Sequence, residues 1–182
     1  MQLLRWAMVA VVGWALWQPA AAAESAAVID ARVNDALAEL RATVPGAGEA
    51  LDRARGVLVM PRVLRGGFIV GATMGEGALR VDGETVDYYT IAGASAGLLA
   101  GVEVSRHALL FMTDEALADF RAAPGSGWEV GATARVTVID LGAQDRVAIT
   151  PQETPIVAFV FGQQGLLAGV SLDGSRYTRV QR

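Results

Sequence analysis

Apolar residues recur every three or four positions between Glu24 and Thr43, and charged residues fill the opposite side. This spacing predicts an amphipathic α-helix. The apolar positions are Ile29, Val33, Leu37, Leu40 and Val44. Pro45-Gly46 ends the pattern, and a second short helix is predicted from Ala47 to Ala54. The first helix either covers a hydrophobic core or lies on a membrane surface.

The pattern changes from Gly56 onward. Short runs rich in Val, Ile, Thr and aromatic residues follow one another, bounded by turn signals such as Asp82-Gly83. These runs predict β-strands. One helix interrupts them, because Thr113 is a good N-cap and Pro124-Gly125 is a stop signal. We therefore expect an α+β fold. It has a β-rich, coiled, barrel-like antiparallel sheet, an N-terminal helical cover and one inserted helix.

The hexapeptide GLLAGV occurs twice, and two looser versions share its glycine spacing. The copies are Gly97–Val102 and Gly165–Val170, and the looser versions are Gly67–Ala72 and Gly127–Ala132. Gly-xxx-Gly also occurs in membrane helices, but the uncharged segment around the first copy is fifteen residues long, against the roughly 20 that a span needs. A phosphate-binding loop is not indicated, since Gly-x-Gly-x-x-Gly and lysine are both absent. The repeat is best explained as a strand whose glycines bend the sheet.

The first residues resemble a secretory signal peptide. Arg5 precedes the uncharged run Trp6–Trp17, and Ala21–Ala23 fits the small-residue cleavage rule. An uncleaved anchor is the alternative, but a twelve-residue run makes about 18 Å of helix against a hydrocarbon core of about 30 Å. We predict a signal peptide over 1–23 and a single domain over 24–182, with a helical segment at 24–54 and a β-rich core at 56–182. The protein is expected to be exported, with the bacterial periplasm as its destination.

The composition excludes several functional classes. The net charge is −4 and lysine is absent, so a general nucleic-acid binder is not expected. Cysteine is also absent, so the domain must fold without disulfides and without a lipid-modified N-terminal cysteine. With one histidine and no cysteine, a Cys/His metal site is excluded. We expect no cofactor.

Several separated stretches resemble the SYLF domain family, in the same order as in that family. They are Ala54–Arg80, Ala94–Thr113, Gly127–Val138 and, with the most characteristic motif GLLAGVSLDGS, Gly165–Ser175. The resemblance covers roughly Leu40 to Arg182. It implies a β-rich core with associated helices and an ability to bind lipid. Eukaryotic relatives bind phosphoinositides and some bundle actin, whereas bacterial members are exported, often as lipoproteins.

The resemblance implies anionic phospholipid as the partner, in preference to a particular phosphoinositide. Actin is not expected as a partner, because an exported chain would not meet it. The oligomeric state is left open. The alternative function is a structural or interaction module of the cell envelope without a lipid ligand.

The densest basic cluster in the chain is the candidate lipid-binding site. It comprises Arg53, Arg55, Arg62 and Arg65, and guanidinium groups bind phosphate well. Val63 and Leu64, just after Pro61, are interpreted as an apolar loop tip that enters a bilayer. The alternative is a solvated loop with ordinary salt bridges.

A catalytic site is not expected. The single histidine, His107, can be grouped with Ser95 or Ser105 and Asp114, but no Gly-x-Ser-x-Gly motif accompanies them. A strand-end role for His107 is the simpler interpretation. The protein is therefore predicted to be a non-catalytic binder of anionic lipid or a membrane surface.

Overall fold

The computed structural model describes residues 24–67, 70–96, 101–123, 125, 127–130, 136–140, 154–165, 172 and 174–182. The helices are α1 (Ala26–Thr43), α2 (Ala47–Arg53) and α3 (Asp114–Arg121). The strands are β1 (Gly56–Gly67), β2 (Val70–Val81), β3 (Glu84–Ala96), β4 (Gly101–Phe111), β5 (Trp128–Glu129), β6 (Thr137–Asp140), β7 (Ile156–Gly165) and β8 (Arg176–Val180). All of the predicted helices are present, within a residue or two of their expected bounds.

The strands form one sheet in the order β5-β8-β3-β2-β1-β4-β7-β6, and this sheet curls into a half-barrel. The predicted α+β, β-rich fold is therefore confirmed. The sheet is antiparallel except at one edge, where β6 runs parallel to β7. Parallel neighbours need a crossover connection of a dozen or more residues. The fifteen residues between Asp140 and Ile156 are long enough to supply it.

The turn between β2 and β3 is the hairpin that Asp82-Gly83 predicts. Asp82 has a φ of 52° and Gly83 a φ of 83°. Two successive positive φ values give the primed turn whose twist matches that of the flanking strands. This hairpin sets the register of β2 against β3, the longest pairing in the described sheet.

One face of the sheet, the α1 face, is partly covered by α1. The predicted apolar stripe of α1 is buried, with Ile29, Val33, Ala36 and Leu40 at most 1% exposed. Below it lie alternate residues of the strands: Val57, Val59, Ala78, Ala108, Leu110, Val157, Phe159 and Phe161. Polar contacts fix the helix position, since Asp30 accepts hydrogen bonds from the hydroxyls of Thr85 at 2.7 Å and Tyr88 at 2.9 Å. The core-covering alternative for α1 is the one the structure shows.

The other face, the α3 face, holds a second core. Thr113 caps α3 by accepting a hydrogen bond from the Ala116 N–H at 3.2 Å. The helix then places Phe120 at the centre of an aromatic cluster. The Phe120 ring centroid lies 4.8 Å from those of Tyr89 and Phe111, and 5.3 Å from that of Trp128. Tyr88 and Tyr89 thus face opposite sides of β3, as period-2 geometry requires.

The glycines of the repeated hexapeptide lie at strand ends where they are described. Gly101 opens β4 with a φ of 144°, and Gly165 closes β7 with a φ of 136°. A side chain is disfavoured at such φ values. The intervening residues 97–100 and 166–171 lie outside the described residues. The predicted bent strand is therefore described only at its ends.

Candidate functional site

A β-bulge at Pro61 divides β1 into two parts. Met60 and Pro61 lie opposite Gly77 alone on β2, because the pairing steps from Val59↔Ala78 to Arg62↔Glu76. A proline tolerates this position because a bulge leaves a residue outside the hydrogen-bonded ladder. The extra residue reverses which side chains face which way. Before Pro61 the odd-numbered residues lie on the α1 face, and after it the even-numbered residues do.

Beyond the bulge, the α1 face continues, and no helix among the described residues covers it. Small and apolar side chains fill the middle of this region, and polar ones such as Glu76 and Arg176 lie around it. This apolar patch comprises Leu64, Gly66, Ala72, Met74, Ala92, Val102 and Val104. Met74 is 55% exposed and Val102 is 58% exposed, the two highest values among the large exposed hydrophobic residues described. The patch crosses β3, β2, β1 and β4, which is about 14 Å at roughly 4.8 Å per strand.

Arg62 lies at the border between the apolar patch and the end of the helical cover. Two cavities meet at its side chain. One, of about 410 Å³, is lined among others by Arg32, Leu64, Met74 and Glu76. The other, of about 300 Å³, is lined among others by Val104 and Arg106. Arg62 therefore projects into a groove that runs along the edge of the apolar patch.

The arginines around this groove differ in whether their charge is paired. Arg32 pairs with Glu24, Arg106 pairs with Glu39 at 2.6 Å, and Arg182 pairs with Glu76 at 2.5 Å. Within the part of the chain that the structure describes, Arg62 has no ion-pair or hydrogen-bond partner. Its charge is therefore available to an anion at the edge of the patch.

The structure does not bring the predicted basic cluster together. Arg53 ends α2, where it lies 3.5 Å from Glu49, and Arg55 lies 3.7 Å from Asp114. Arg62 and Arg65 lie further along β1, and ten residues of strand separate Arg55 from Arg65 by about 33 Å. Arg62 is on the α1 face and Arg65 on the α3 face. Nearness in sequence did not give nearness in space, because an extended strand carries its residues apart.

The predicted loop tip at Val63-Leu64 is wrong. Both residues lie within β1, which continues through Pro61 to Gly67. Val63 is 1% exposed and belongs to the core of the α3 face, so it cannot contact a bilayer. Leu64 is half-buried and belongs to the apolar patch. Gly77 lies opposite the proline, and this pairing, which the sequence does not show, is what lets the strand continue as a bulge.

A buried polar row lies on the α3 face of β4. Glu103, Ser105 and His107 are 4%, 2% and 5% exposed. The Ser105 hydroxyl and His107 Nε2 are 3.1 Å apart. Burial, and then the charge of Arg65, lowers the pKa of His107 to about 4. His107 is thus a neutral residue inside β4, not the strand-end residue that the sequence suggested. Asp114 is exposed beside Arg55 and does not join it.

The exposed residues of the apolar patch were missed by the sequence analysis. Ala72, Met74 and Glu76 alternate along β2 with residues of the opposite face, which is the period-2 signal of a strand. That signal gives the face but does not show where the helical cover ends.

No helix among the described residues is long and apolar enough to cross a membrane.

Comparison with known proteins gives a family assignment. The Ysc84 family, described as "Las17-binding protein actin regulator", matches residues 92–182. The match includes β4, α3 and every strand after them. No curated protein matches the chain. The family match agrees with the resemblance of the separated motifs to the SYLF domain. The chain belongs to the Ysc84 (SYLF) domain family.

Proposed function

We propose that this protein binds the surface of anionic phospholipid membranes through the apolar patch, with Arg62 contacting the lipid head groups. The observation that carries the proposal is the half of the α1 face that no described helix covers, beside Arg62, which has no ion-pair partner among the described residues. An exposed apolar surface rimmed by polar groups is typical of a protein or membrane interaction site. The positive charge at its edge favours an anionic surface.

The geometry fits shallow, reversible binding. Met74 and Val102 lie near the middle of the patch and are more than half exposed. Their removal from water contributes about 0.8 kcal/mol per buried methylene. Arg62 adds about 1 kcal/mol near an anionic surface. The ion pairs of Arg32 and Arg106 leave these residues with little further charge to contribute.

The proposal includes export, with the periplasm as the compartment. The N-terminal signal-peptide pattern supports it, and an exported chain would meet an anionic membrane leaflet. The actin regulation in the family description does not enter the proposal, because an exported chain would not meet actin. Mass spectrometry of the mature protein is expected to give an N-terminus near Glu24.

Vesicle co-sedimentation tests the membrane function. We expect wild-type protein to bind phosphatidylglycerol vesicles and to bind neutral phosphatidylcholine vesicles more weakly. The double variant Met74→Ser/Val102→Ser should lose about tenfold in affinity, because two apolar side chains no longer enter the membrane. Arg62→Gln should lose about fivefold on anionic vesicles only.

Two matched variants serve as controls. Val86→Ser removes another exposed apolar side chain, 39% exposed and outside the patch. Arg53→Gln/Arg55→Gln removes the arginines at the far end of β1. Both controls should bind like wild type. Equal binding by the patch variants and the controls would refute the proposed surface. Loss of binding in the Arg53→Gln/Arg55→Gln variant would instead favour Arg53 and Arg55 as the lipid-binding residues.

The alternative is an interaction module of the cell envelope without a lipid ligand. The apolar patch is also the surface on which a second copy of the chain could dock. Absence of vesicle binding, together with a dimer that Met74→Ser/Val102→Ser dissociates in light scattering, would replace the lipid proposal with this alternative.

A further inference from the structure

A small cavity lies under the C-terminal end of α3, on the α3 face of the sheet. Its volume is about 170 Å³, room for about five waters at roughly 30 Å³ each. Its walls come from α3, β3 and β8, and include Tyr89, Phe120, Arg121, Gly127, Tyr177 and Arg179. The sheet separates it from the apolar patch, because the cavity opens on the α3 face and the patch lies on the α1 face.

Tyr177 is one of the residues that line this cavity, and its hydroxyl is buried without a described partner. Tyr177 is 1% exposed, and its hydroxyl has no hydrogen bond to any described residue. Burial raises the pKa of Tyr177, and burial followed by the charge of Asp87 raises the pKa of Tyr89 to about 12. Both phenols therefore stay protonated and can donate. Buried polar groups are rarely left unpaired in folded proteins.

Two guanidinium groups flank the same cavity with unused donors. Arg121 Nε lies 3.8 Å from Asp87 Oδ2, and Arg179 Nη1 lies 3.8 Å from Asp87 Oδ1. These distances are too long for hydrogen bonds, and among the described residues neither arginine makes one elsewhere. Asp87 Oδ2 is also without a hydrogen bond there. Two cations and one anion leave a net positive charge beside the cavity.

We propose that this cavity binds a phosphate group, either as inorganic phosphate or as a phosphate monoester. Guanidinium groups bind phosphate oxygens in pairs, and the phenol of Tyr177 would donate from the buried wall. The cavity is large enough for a tetrahedral oxyanion and the first atom of a substituent. Arg121 and Arg179 would turn from their long contacts with Asp87 towards the ligand. This site is independent of the proposed membrane surface.

Titration calorimetry at constant ionic strength tests the site in the folded chain. One arm uses inorganic phosphate, and the other uses dihexanoyl phosphatidic acid below its micelle concentration. Binding in the first arm identifies free phosphate as a ligand, and binding in the second arm alone identifies a lipid head group. Either result supports the site when the cavity variants below change the binding, and absence of binding in both arms overturns it.

Three variants locate the binding. Tyr177→Phe removes only the hydroxyl and should weaken binding about tenfold, as expected for a hydrogen bond to a charged group. Asp87→Asn should strengthen binding severalfold, because it removes the competing carboxylate charge. Such a gain cannot come from misfolding. Arg176→Gln, on the same strand but paired with Glu129 outside the cavity, should bind like wild type. If Tyr177→Phe and Asp87→Asn both match wild type, the phosphate binds elsewhere and the proposal fails.

Discussion

The two halves of the α1 face have similar composition and different surroundings. Under α1, the sheet presents Val59 on β1 and Ala108 on β4, which are fully buried. Past the bulge, the same strands present Leu64 and Val102, of which Val102 is 58% exposed. The apolar pattern therefore continues past the point where its helical cover ends.

The covered half of the α1 face contributes to stability, and the exposed half is suited to docking. An apolar sheet face needs to be apolar for stability only where it is covered. On the uncovered half, polar side chains would cost the isolated domain nothing. The persistence of apolar residues there, with Arg62 at the border, is what a docking surface requires. The covered half should respond to substitution through stability, and the uncovered half through binding.

Leu40→Ala and Met74→Ala test the difference between the two halves, and they have the largest expected effect. Leu40 is 0% exposed under the helix, so its truncation leaves a cavity and should cost about 4 kcal/mol of unfolding free energy. Met74→Ala should cost less than about 0.5 kcal/mol. Urea denaturation measures both. Comparable losses would show that the uncovered half also supports the fold.

A pair of glycine substitutions compares the bulge with the patch. A Cβ at Gly77 would collide with the Val59 carbonyl oxygen and lie 2.6 Å from Met60 Sδ. Gly77→Ala should therefore cost about 3 kcal/mol of unfolding free energy. A Cβ at Gly66 would make an ordinary contact, 3.4 Å from Val102 Cγ2, so Gly66→Ala should leave stability nearly unchanged. Thermal unfolding of the two variants tests whether the bulge demands glycine.

Acidification separates stability from membrane binding. The folded pKa of His107, about 4, is below its ordinary value of 6.5, so the unfolded chain takes up the proton first. Stability from this group is present above about pH 6.5 and is lost as the pH falls towards 4. The loss reaches about 2 kcal/mol by pH 5.

His107→Gln is the control for that pH dependence. The wild type should lose more unfolding free energy than this variant between pH 6.5 and 4, as measured by urea denaturation at each pH. Arg62 lies on the opposite face of the sheet from His107, so its contribution to vesicle binding should not follow the same curve. Parallel pH profiles of the two proteins would contradict the buried, neutral histidine.

The smallest expected effect is at the border of the two halves. Arg106 and Glu39 form an ion pair in which both side chains are one-third exposed. Arg106→Gln should cost about 0.5 kcal/mol of unfolding free energy and less at high salt, because solvent screens the pair. Denaturation at two salt concentrations is the measurement. A cost above about 2 kcal/mol would show that this pair, and not the apolar contact, fixes α1 on the sheet.

Local patterns in the sequence predicted the elements well. The spacing of Ile29, Val33 and Leu40 gave the buried side of α1, and Thr113 marked the start of α3. These signals depend on neighbours within a few residues. The β-rich class and the family resemblance also followed from the sequence. The extent of the helical cover did not, because it depends on which strands lie side by side.

The candidate site also depends on which strands lie side by side, which the sequence alone does not show. Arg62 and Leu64 were proposed as site residues and lie at the apolar patch, while Arg53 and Arg55 lie at the far end of β1. Val63 was assigned to the wrong environment, because Pro61 was interpreted as part of a loop. Proline usually interrupts a central strand, and only its pairing opposite Gly77 shows how this strand accommodates it.

The extra residue at Pro61 changes which side chains of β1 face which side of the sheet. Odd-numbered residues lie on the α1 face before the bulge, and even-numbered residues lie there after it. This change places Arg62 and Leu64 on the α1 face. If β1 kept all of its residues but lost the bulge, the upstream alternation would continue and Val63 and Arg65 would take the α1 face in place of Arg62 and Leu64. Deletion of the extra residue would instead leave every downstream side chain on its present face.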